Sequence, residues 1–289
     1  MQQRTIVWGM GALAVIAAVV SGVVLFHGSR STASVVPVPE TSSWAVNDAF
    51  AKAVSYAVLP KGRVAAGIVP HHTLVAPLIA AFFRGLEASH LPSTVVIVGP
   101  DHENQGIAYV TTSNDSWSTP DGIVTADRRV IQALVERDVA SFDDILIRNE
   151  PSVSAVLPYL EHRFPDTSVV PLAIRGDLRS DKLDQLAGAL ADILGPDDLV
   201  IASVDFSHYK DTVGAWSDDA VSLPVIRRMD VDAALTIPVD SPPAISLVLR
   251  YAKLRGLSYQ ELVHTNSAEF LHDLTIPSTT SYLAAYFYR

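Results

Sequence analysis

The chain has 289 residues, of which 49% are hydrophobic and 18% are charged, and its formal net charge is −10 at pH 7. This negative balance argues against a nucleic-acid partner, because binding a phosphate backbone needs clustered lysine and arginine, and the sequence has no such cluster. The absence of cysteine excludes disulfides, thiolate metal sites and cysteine nucleophiles.

The N-terminal segment is predominantly apolar, and residues 6–26 carry no charge. A run of about 20 such residues is long enough for a helix to cross a bilayer, and it exceeds the roughly 7–15 apolar residues of a secretory signal. The pattern therefore favours an uncleaved transmembrane anchor, within residues 1–27, over a cleaved signal. Since most of the chain follows this segment, we expect the N-terminus inside and the main domain outside the cytoplasm.

The rest of the chain is expected to form a linker, residues 28–41, and one α/β domain, residues 42–289. Short β-branched runs alternate there with longer amphipathic stretches, which is typical of parallel strands covered by helices. The predicted strands are residues 64–69, 94–98, 168–174, 199–204 and 281–288, and the predicted helices are residues 75–88, 127–137, 181–194 and 244–255. The expected fold class is thus an α/β fold with a mainly parallel central sheet and helices on both faces, preceded by one transmembrane helix.

Histidines follow three of the predicted strands at the point where each strand ends. His71 follows the first strand, His102 the second, and the pair Asp205 and His208 the fourth. Ligands of an open parallel sheet bind beyond the carboxyl ends of its strands, so these side chains are expected in one crevice. Neutral imidazole is a common ligand for Zn, Cu, Fe and Ni, and a nearby aspartate can orient a histidine by accepting its second N–H. The pattern predicts a functional site, most simply a metal site, with Asp205 as the orienting residue.

Motifs of other chemistries are absent from the sequence. It contains no G-x-S-x-G elbow, no G-x-x-x-x-G-K-[ST] phosphate loop, no G-x-G-x-x-G after a strand and no H-E-x-x-H. Serine hydrolases, phosphate-loop proteins, dinucleotide-binding folds and zinc proteases of that type are therefore not indicated.

The strand-end motifs resemble those of a known family, the Memo-like proteins, called AmmeMemoRadiSam system protein B in bacteria. The fold of that family is similar to the catalytic subunit of class III extradiol ring-cleaving dioxygenases. The resemblance runs from about residue 67 to residue 286. It is carried by residues 70–71, 99–102, 117–122, 127, 203–208, 266–267 and 281–282.

This resemblance implies a metal held by His71, by His102 and by a third residue far downstream, which is a cysteine in the family. The present chain has no cysteine, and Asp240 aligns with that position. The implied site has two histidines and one carboxylate, the arrangement associated with non-haem Fe(II). The implied cofactor is a divalent metal, with Fe(II) favoured and Cu or Zn as alternatives. In the competing interpretation, Asp240 is a loop or N-cap residue and the metal has been lost.

The sequence also departs from the family around the expected pocket. Pro151 and Ser154 stand where the family has polar histidine and glutamate, and His72 stands where it has alanine. The first two changes put a shared substrate in doubt. His72 either adds an imidazole to the pocket or points away from it.

Together these features predict a membrane-anchored Memo-like protein whose metal binds a small oxygen-bearing substrate with O₂ or water. His208, oriented by Asp205, would be the general acid or base. Two alternatives remain open at this point: a metal-dependent hydrolase, and a non-catalytic module that recognises a peptide or small molecule. Neither the substrate nor the oligomeric state is specified by any motif.

Overall fold

A computed structural model describes residues 33–39 and 41–289. Its strands are β1 (Val35–Pro37), β2 (Val64–Val69), β3 (Thr94–Pro100), β4 (Val110–Thr112), β5 (Ser116–Ser118), β6 (Ile123–Val124), β7 (Ser141–Phe142), β8 (Ser168–Ile174), β9 (Leu199–Ser203), β10 (Ser258–Asn266) and β11 (Ser281–Tyr288). Its helices are α1 (Ser43–Lys52), α2 (Ala76–Glu87), α3 (Arg128–Glu136), α4 (Asp144–Asn149), α5 (Pro151–Ser154), α6 (Leu157–Arg163), α7 (Ser180–Ile193), α8 (Thr212–Arg227), α9 (Pro242–Leu254) and α10 (Ser267–Phe270).

The strands form two sheets. The larger sheet has eight strands in the order β10-β11-β2-β9-β3-β8-β4-β7, and the smaller has the order β1-β5-β6. The four central strands, β2, β9, β3 and β8, are parallel to their neighbours within that group. Toward the edges, β11 runs antiparallel to β2 and to β10, and β4 runs antiparallel to β8.

This topology corrects the predicted fold class, which specified a mainly parallel central sheet. The large sheet is mixed, and a second, three-stranded sheet accompanies it. Two of the antiparallel pairs of the large sheet were missed because β10 was not predicted and because β4 has only three residues. Runs that short are too brief to show a strand period.

The predicted transmembrane helix and the membrane localisation inferred from it are also corrected. Among residues 33–39 and 41–289, no helix is long and apolar enough to cross a membrane. The apolar run on which the prediction rested, residues 6–26, lies outside the described residues.

Each face of the central sheet packs against its own set of helices. On β3, Val96 and Val98 belong to one hydrophobic core with residues of α3, α7, α8 and α9. Val95 and Ile97 belong to the other core, with residues of α1, α2 and α6. This alternation follows from the two-residue period of a strand. The central strands are therefore buried on both faces, and their ends hold the residues that follow them in fixed positions.

The close approach of α5 to β3 gives a prediction about stability. A Cβ atom added to Gly99 would overlap Ser152 Oγ and would lie 2.5 Å from Ser152 Cβ. We expect Gly99→Ala to lower the free energy of unfolding by about 1–3 kcal/mol, because overpacking displaces the helix. Gly188→Ala in α7 is the matched control, since a Cβ there would meet no atom within 4 Å. It should be neutral or stabilising by up to about 1 kcal/mol. Urea denaturation measures both, and equal midpoints for the two variants would contradict the close-packing argument.

Candidate metal centre

The first residues of the site directly follow three adjacent strands of the large sheet. His71 follows β2, Asp205 follows β9 and His102 follows β3, and β9 lies between the other two strands. The sequence-based expectation that these strand ends meet is therefore confirmed by the order of the sheet.

Asp240 reaches the same place from the loop before α9. Its backbone N–H donates to the carbonyl oxygen of Asp205 over 3.1 Å, and its Oδ2 accepts the backbone N–H of Asp205 over 3.0 Å. The N-cap of α9 is the next residue, Ser241, whose hydroxyl oxygen accepts the N–H of Ala244 over 3.3 Å. The side chain of Asp240 is thus not used as a helix cap, and it is directed toward the ends of the strands.

The ligand atoms of His71, His102 and Asp240 all lie within 4.8 Å of one another. His71 Nε2 is 3.4 Å from Asp240 Oδ2, and His102 Nε2 is 4.0 Å from the same oxygen. The two imidazole rings are nearly perpendicular, at 88°, with their centroids 5.3 Å apart. The three groups therefore converge on a common point.

Hydrogen bonds on the far side of each ring determine which nitrogen is free. His71 Nδ1 is 3.2 Å from the carbonyl oxygen of Ser203, and His102 Nδ1 is 2.7 Å from Glu150 Oε1. A carbonyl or carboxylate oxygen only accepts, so the Nδ1 atom of each ring carries a proton and the Nε2 atom of each ring faces Asp240. The hydrogen bond to Glu150 raises the pKa of His102. In the neutral form of each ring, this arrangement leaves Nε2 free to bind a metal.

Two further hydrogen bonds fix the position of the Glu150 carboxylate. Its Oε2 accepts the backbone N–H of His102 over 3.2 Å, and its Oε1 accepts that of Ser152 over 2.9 Å. Burial acts to raise the pKa of Glu150, but the hydrogen bonds from His102 and Ser152 outweigh burial, and the pKa is lowered. The lowered pKa favours the ionised carboxylate, which accepts the hydrogen bond from the Nδ1–H group of His102.

Asp240 is a buried acid whose ion-pair contacts among the described residues are to His71 and His102. Its side chain is only 9% exposed, and its Oδ1 has no hydrogen-bond partner among the described residues. Burial, and then the negative charge of Asp205, raise the pKa of Asp240 well above its usual value. A bound cation would remove this unfavourable burial of charge.

The residues fit a divalent metal in chemistry and in spacing. Two ligands that are each about 2.1 Å from a metal ion lie about 3.0–3.4 Å apart. The separation of His71 Nε2 and Asp240 Oδ2, 3.4 Å, matches this range, and that of His102 Nε2, 4.0 Å, exceeds it by an amount that a side-chain adjustment can close. Imidazole and carboxylate are ligands for Zn, Fe and Cu alike, so the residue types do not select one metal.

His208 and Asp205 lie beside this cluster. Together with Asp240, they form a second group whose ligand atoms are all within 4.8 Å of one another. Asp205 Oδ1 accepts the backbone N–H of His71 over 3.1 Å, and Asp205 Oδ2 is 3.8 Å from His71 Nε2. Burial lowers the pKa of His208, which favours its neutral form. A neutral imidazole is able to accept a proton from a substrate.

Two cavities open onto the cluster, and His208 and Tyr209 line both. The larger has a volume of about 710 Å³ and the smaller of about 340 Å³. The larger is lined by Pro39, Thr41, His71, His72, Thr73, Pro151, Ala155, Asp205, His208, Tyr209 and Thr280. The smaller includes His102 and Asp240 in its wall. His208 therefore borders both cavities.

Of the three residues that depart from the family pattern, two line the larger cavity and one is buried in a helix. His72 lines the larger cavity, and its Nδ1 is 2.6 Å from the hydroxyl oxygen of Tyr282. Pro151 also lines that cavity. Ser154 is buried within α5, where its hydroxyl donates to the carbonyl oxygen of Glu150 over 3.3 Å. His72 thus supplies an imidazole to the pocket wall.

Two functional contacts were not anticipated from the sequence. Glu150 directly precedes Pro151, in the segment where the sequence departs from the family, and no motif singled it out. Ser203 contributes only its backbone carbonyl. Since a carbonyl group is common to all residues, no side-chain pattern could have identified Ser203.

Comparisons with known proteins agree with the motifs. Residues 45–271 match the family model of the Memo-like proteins. A MEMO1 family protein of Pyrococcus abyssi is 30% identical over 234 residues, which cover 74% of this chain and 80% of that protein. One from Pyrococcus furiosus is 28% identical over 231 residues, covering 70% and 79% respectively. One from Methanopyrus kandleri is 31% identical over 171 residues, covering 56% and 60%.

Among solved structures, the crystal structure of an uncharacterized protein from Escherichia coli K12 aligns with 76% of this chain and 99% of its own. Its TM-score is 0.47 and its sequence identity is 14%. The family match confirms the resemblance inferred from the strand-end motifs.

One residue of the resemblance has a structural role that can be tested. Asp127 is the N-cap of α3, where its Oδ1 accepts the N–H of Val130 over 3.1 Å, and its Oδ2 accepts the hydroxyl of Thr94 over 2.7 Å. Asp127→Ala should lower the free energy of unfolding by about 1–2 kcal/mol, because the cap is lost. Asp127→Asn, which keeps an accepting oxygen, should lower it less. Thermal and urea unfolding give the comparison, and an alanine variant as stable as wild type would exclude this role.

Proposed function

We propose that this chain, which belongs to the Memo-like protein family, is a metal-dependent oxidoreductase of the dioxygenase type. In this proposal a divalent metal, with Fe(II) favoured, is held by His71, His102 and Asp240. The observation that carries the proposal is the convergence of two Nε2 atoms on a buried carboxylate, while both Nδ1 atoms are hydrogen-bonded on the far side of their rings. Two histidines and one carboxylate leave coordination positions open for substrate and oxygen.

When bound, such a metal supplies Lewis-acid chemistry toward a substrate oxygen and, as Fe(II), electron transfer to O₂. Placing both atoms of O₂ in the substrate requires no external reductant. The reaction class therefore needs no second cofactor.

The residues around the metal ligands have separate tasks in this proposal. His208 takes a proton from a substrate hydroxyl and returns it to the product, and burial keeps its imidazole neutral for the first step. Asp205 holds the backbone of His71 in place through the hydrogen bond to its N–H. Glu150 keeps the Nδ1 proton of His102 on the side away from the site.

In this proposal, the substrate is a small aromatic compound with neighbouring hydroxyl groups. The larger cavity, at about 710 Å³, falls in the range of about 300–1,000 Å³ that is usual for small-molecule sites. Tyr209, which is 86% exposed, is an aromatic residue of the cavity wall. A metal-dependent hydrolase and a binding module without turnover are the competing functions that experiment has to separate.

Metal content tests the ligand set. Purified wild type reconstituted anaerobically with Fe(II) and desalted should retain about one equivalent, because the three ligands form one tight site. Asp240→Ala should lose most of it, since the only anionic ligand is removed. Asp192→Ala is the matched control, because Asp192 is an exposed carboxylate at 70%. Elemental analysis gives the stoichiometry, and equal retention by wild type and Asp240→Ala would show that Asp240 is not a ligand.

Oxygen consumption tests the reaction. Iron-loaded wild type should consume O₂ in the presence of catechols, and His208→Ala should reduce kcat by roughly 10²–10⁴-fold while iron content in the loaded, desalted protein is unchanged. An oxygen electrode and product absorbance measure the rate. Absence of oxygen consumption by fully iron-loaded wild type across a set of substituted catechols would refute the dioxygenase proposal and favour the other two functions.

A further inference from the structure

Asp240 belongs to two groups of ligand atoms at once. One group contains His71 and His102, the other contains Asp205 and His208, and within each group all ligand atoms lie within 4.8 Å of one another. Asp240 Oδ2 is the oxygen near the two histidines of the first group. Its Oδ1 is buried and has no hydrogen-bond partner within the part of the chain that the structure describes. Asp240 is therefore the residue that the two groups share, and its carboxylate is the candidate bridge between two cations.

The charges around Asp240 also leave room for a second cation. Asp205, Asp240 and Glu150 bring three carboxylates to the cluster, and the ion-pair contacts they make within residues 33–39 and 41–289 are to His71 and His102. In this set no lysine or arginine compensates them. One divalent cation neutralises two of the three charges. Since buried carboxylates are costly without a counter-ion, a second cation is electrostatically accommodated.

We propose that Asp205, His208 and the bridging carboxylate of Asp240 form a second and weaker divalent-cation site, and that its occupancy inhibits the enzyme by engaging His208. Paired metal ions that share ligands are about 3.5–4 Å apart in other proteins. Asp205 Oδ1 is used by the backbone N–H of His71, so Oδ2 is the oxygen available to the cation. The second site is weaker because His208 is only partly buried and lines both cavities, where water competes with the ligand. The inhibitory part rests on the function proposed above, whereas the binding part does not.

Zinc stoichiometry tests the binding part. Zn²⁺ has no redox chemistry and takes imidazole and carboxylate ligands, so equilibrium dialysis against increasing Zn²⁺ with elemental analysis reports occupancy alone. Wild type should bind two equivalents in two affinity classes. His208→Ala should keep the tighter equivalent and lose the weaker one. His272→Asn is the matched control and should bind two equivalents as wild type does, because His272 is exposed and asparagine tolerates its left-handed backbone at φ 57°.

A wild type that saturates at one equivalent would overturn the proposal, and so would a His208→Ala variant that binds two. Circular dichroism spectra of each variant establish that a lost equivalent is not lost folding. The His71→Ala variant tests the first site separately. It should lose the tightly bound zinc and keep the weakly bound zinc. Loss of the weakly bound zinc instead would also overturn the assignment.

Excess metal tests the inhibitory part. Under the dioxygenase assay, adding Fe(II) beyond one equivalent should lower the rate, with half of the effect at the concentration that half-fills the weaker class. A rate unaffected by filling of that class overturns the inhibitory part. A protein that binds two zinc ions but never consumes oxygen refutes only the proposed function. One that consumes oxygen but binds a single zinc ion refutes only the second site.

Discussion

Two hydrogen bonds join the loop before α9 to the end of β9, and the geometry of the site depends on them. The backbone N–H of Asp240 donates to the carbonyl oxygen of Asp205, and the backbone N–H of Asp205 donates to Asp240 Oδ2. The second bond orients the carboxylate as well as the loop. Without this pair, the strand ends would offer two histidines, and the buried acid that completes the ligand set would have no fixed position.

The orientation of the two histidine rings is fixed by hydrogen-bond acceptors on the side of each ring that faces away from Asp240. The carbonyl oxygen of Ser203 and the carboxylate of Glu150 bind the Nδ1 protons of His71 and His102. These contacts fix ring orientation and tautomer together, which is the usual function of groups that lie outside the ligands themselves. Glu150 directly precedes α5 and binds His102. The packing of α5 against β3 at Gly99 therefore also affects the position of His102.

Some elements were readable in the sequence and others were not. The predicted strands 64–69, 168–174 and 281–288 coincide with β2, β8 and β11, because buried strands appear as continuous apolar runs. α8 was not predicted, since it contains Pro224 and its apolar residues do not concentrate on one face. β10 was not predicted either, because most of its residues are only half-buried. Its pairing with β11, and that of β11 with β2, made the sheet mixed.

The sequence by itself determined that histidines follow the ends of buried strands and that no thiolate completes a metal site. Parallel strands present their carboxyl ends at one edge of a sheet, so local patterns sufficed to bring His71, His102 and Asp205 together. Only the tertiary structure decided that Asp240 faces them. It also decided that Glu150 is the partner of His102. These contacts join residues that are 35 and 48 positions apart, through loops whose paths are set by packing and by no local period.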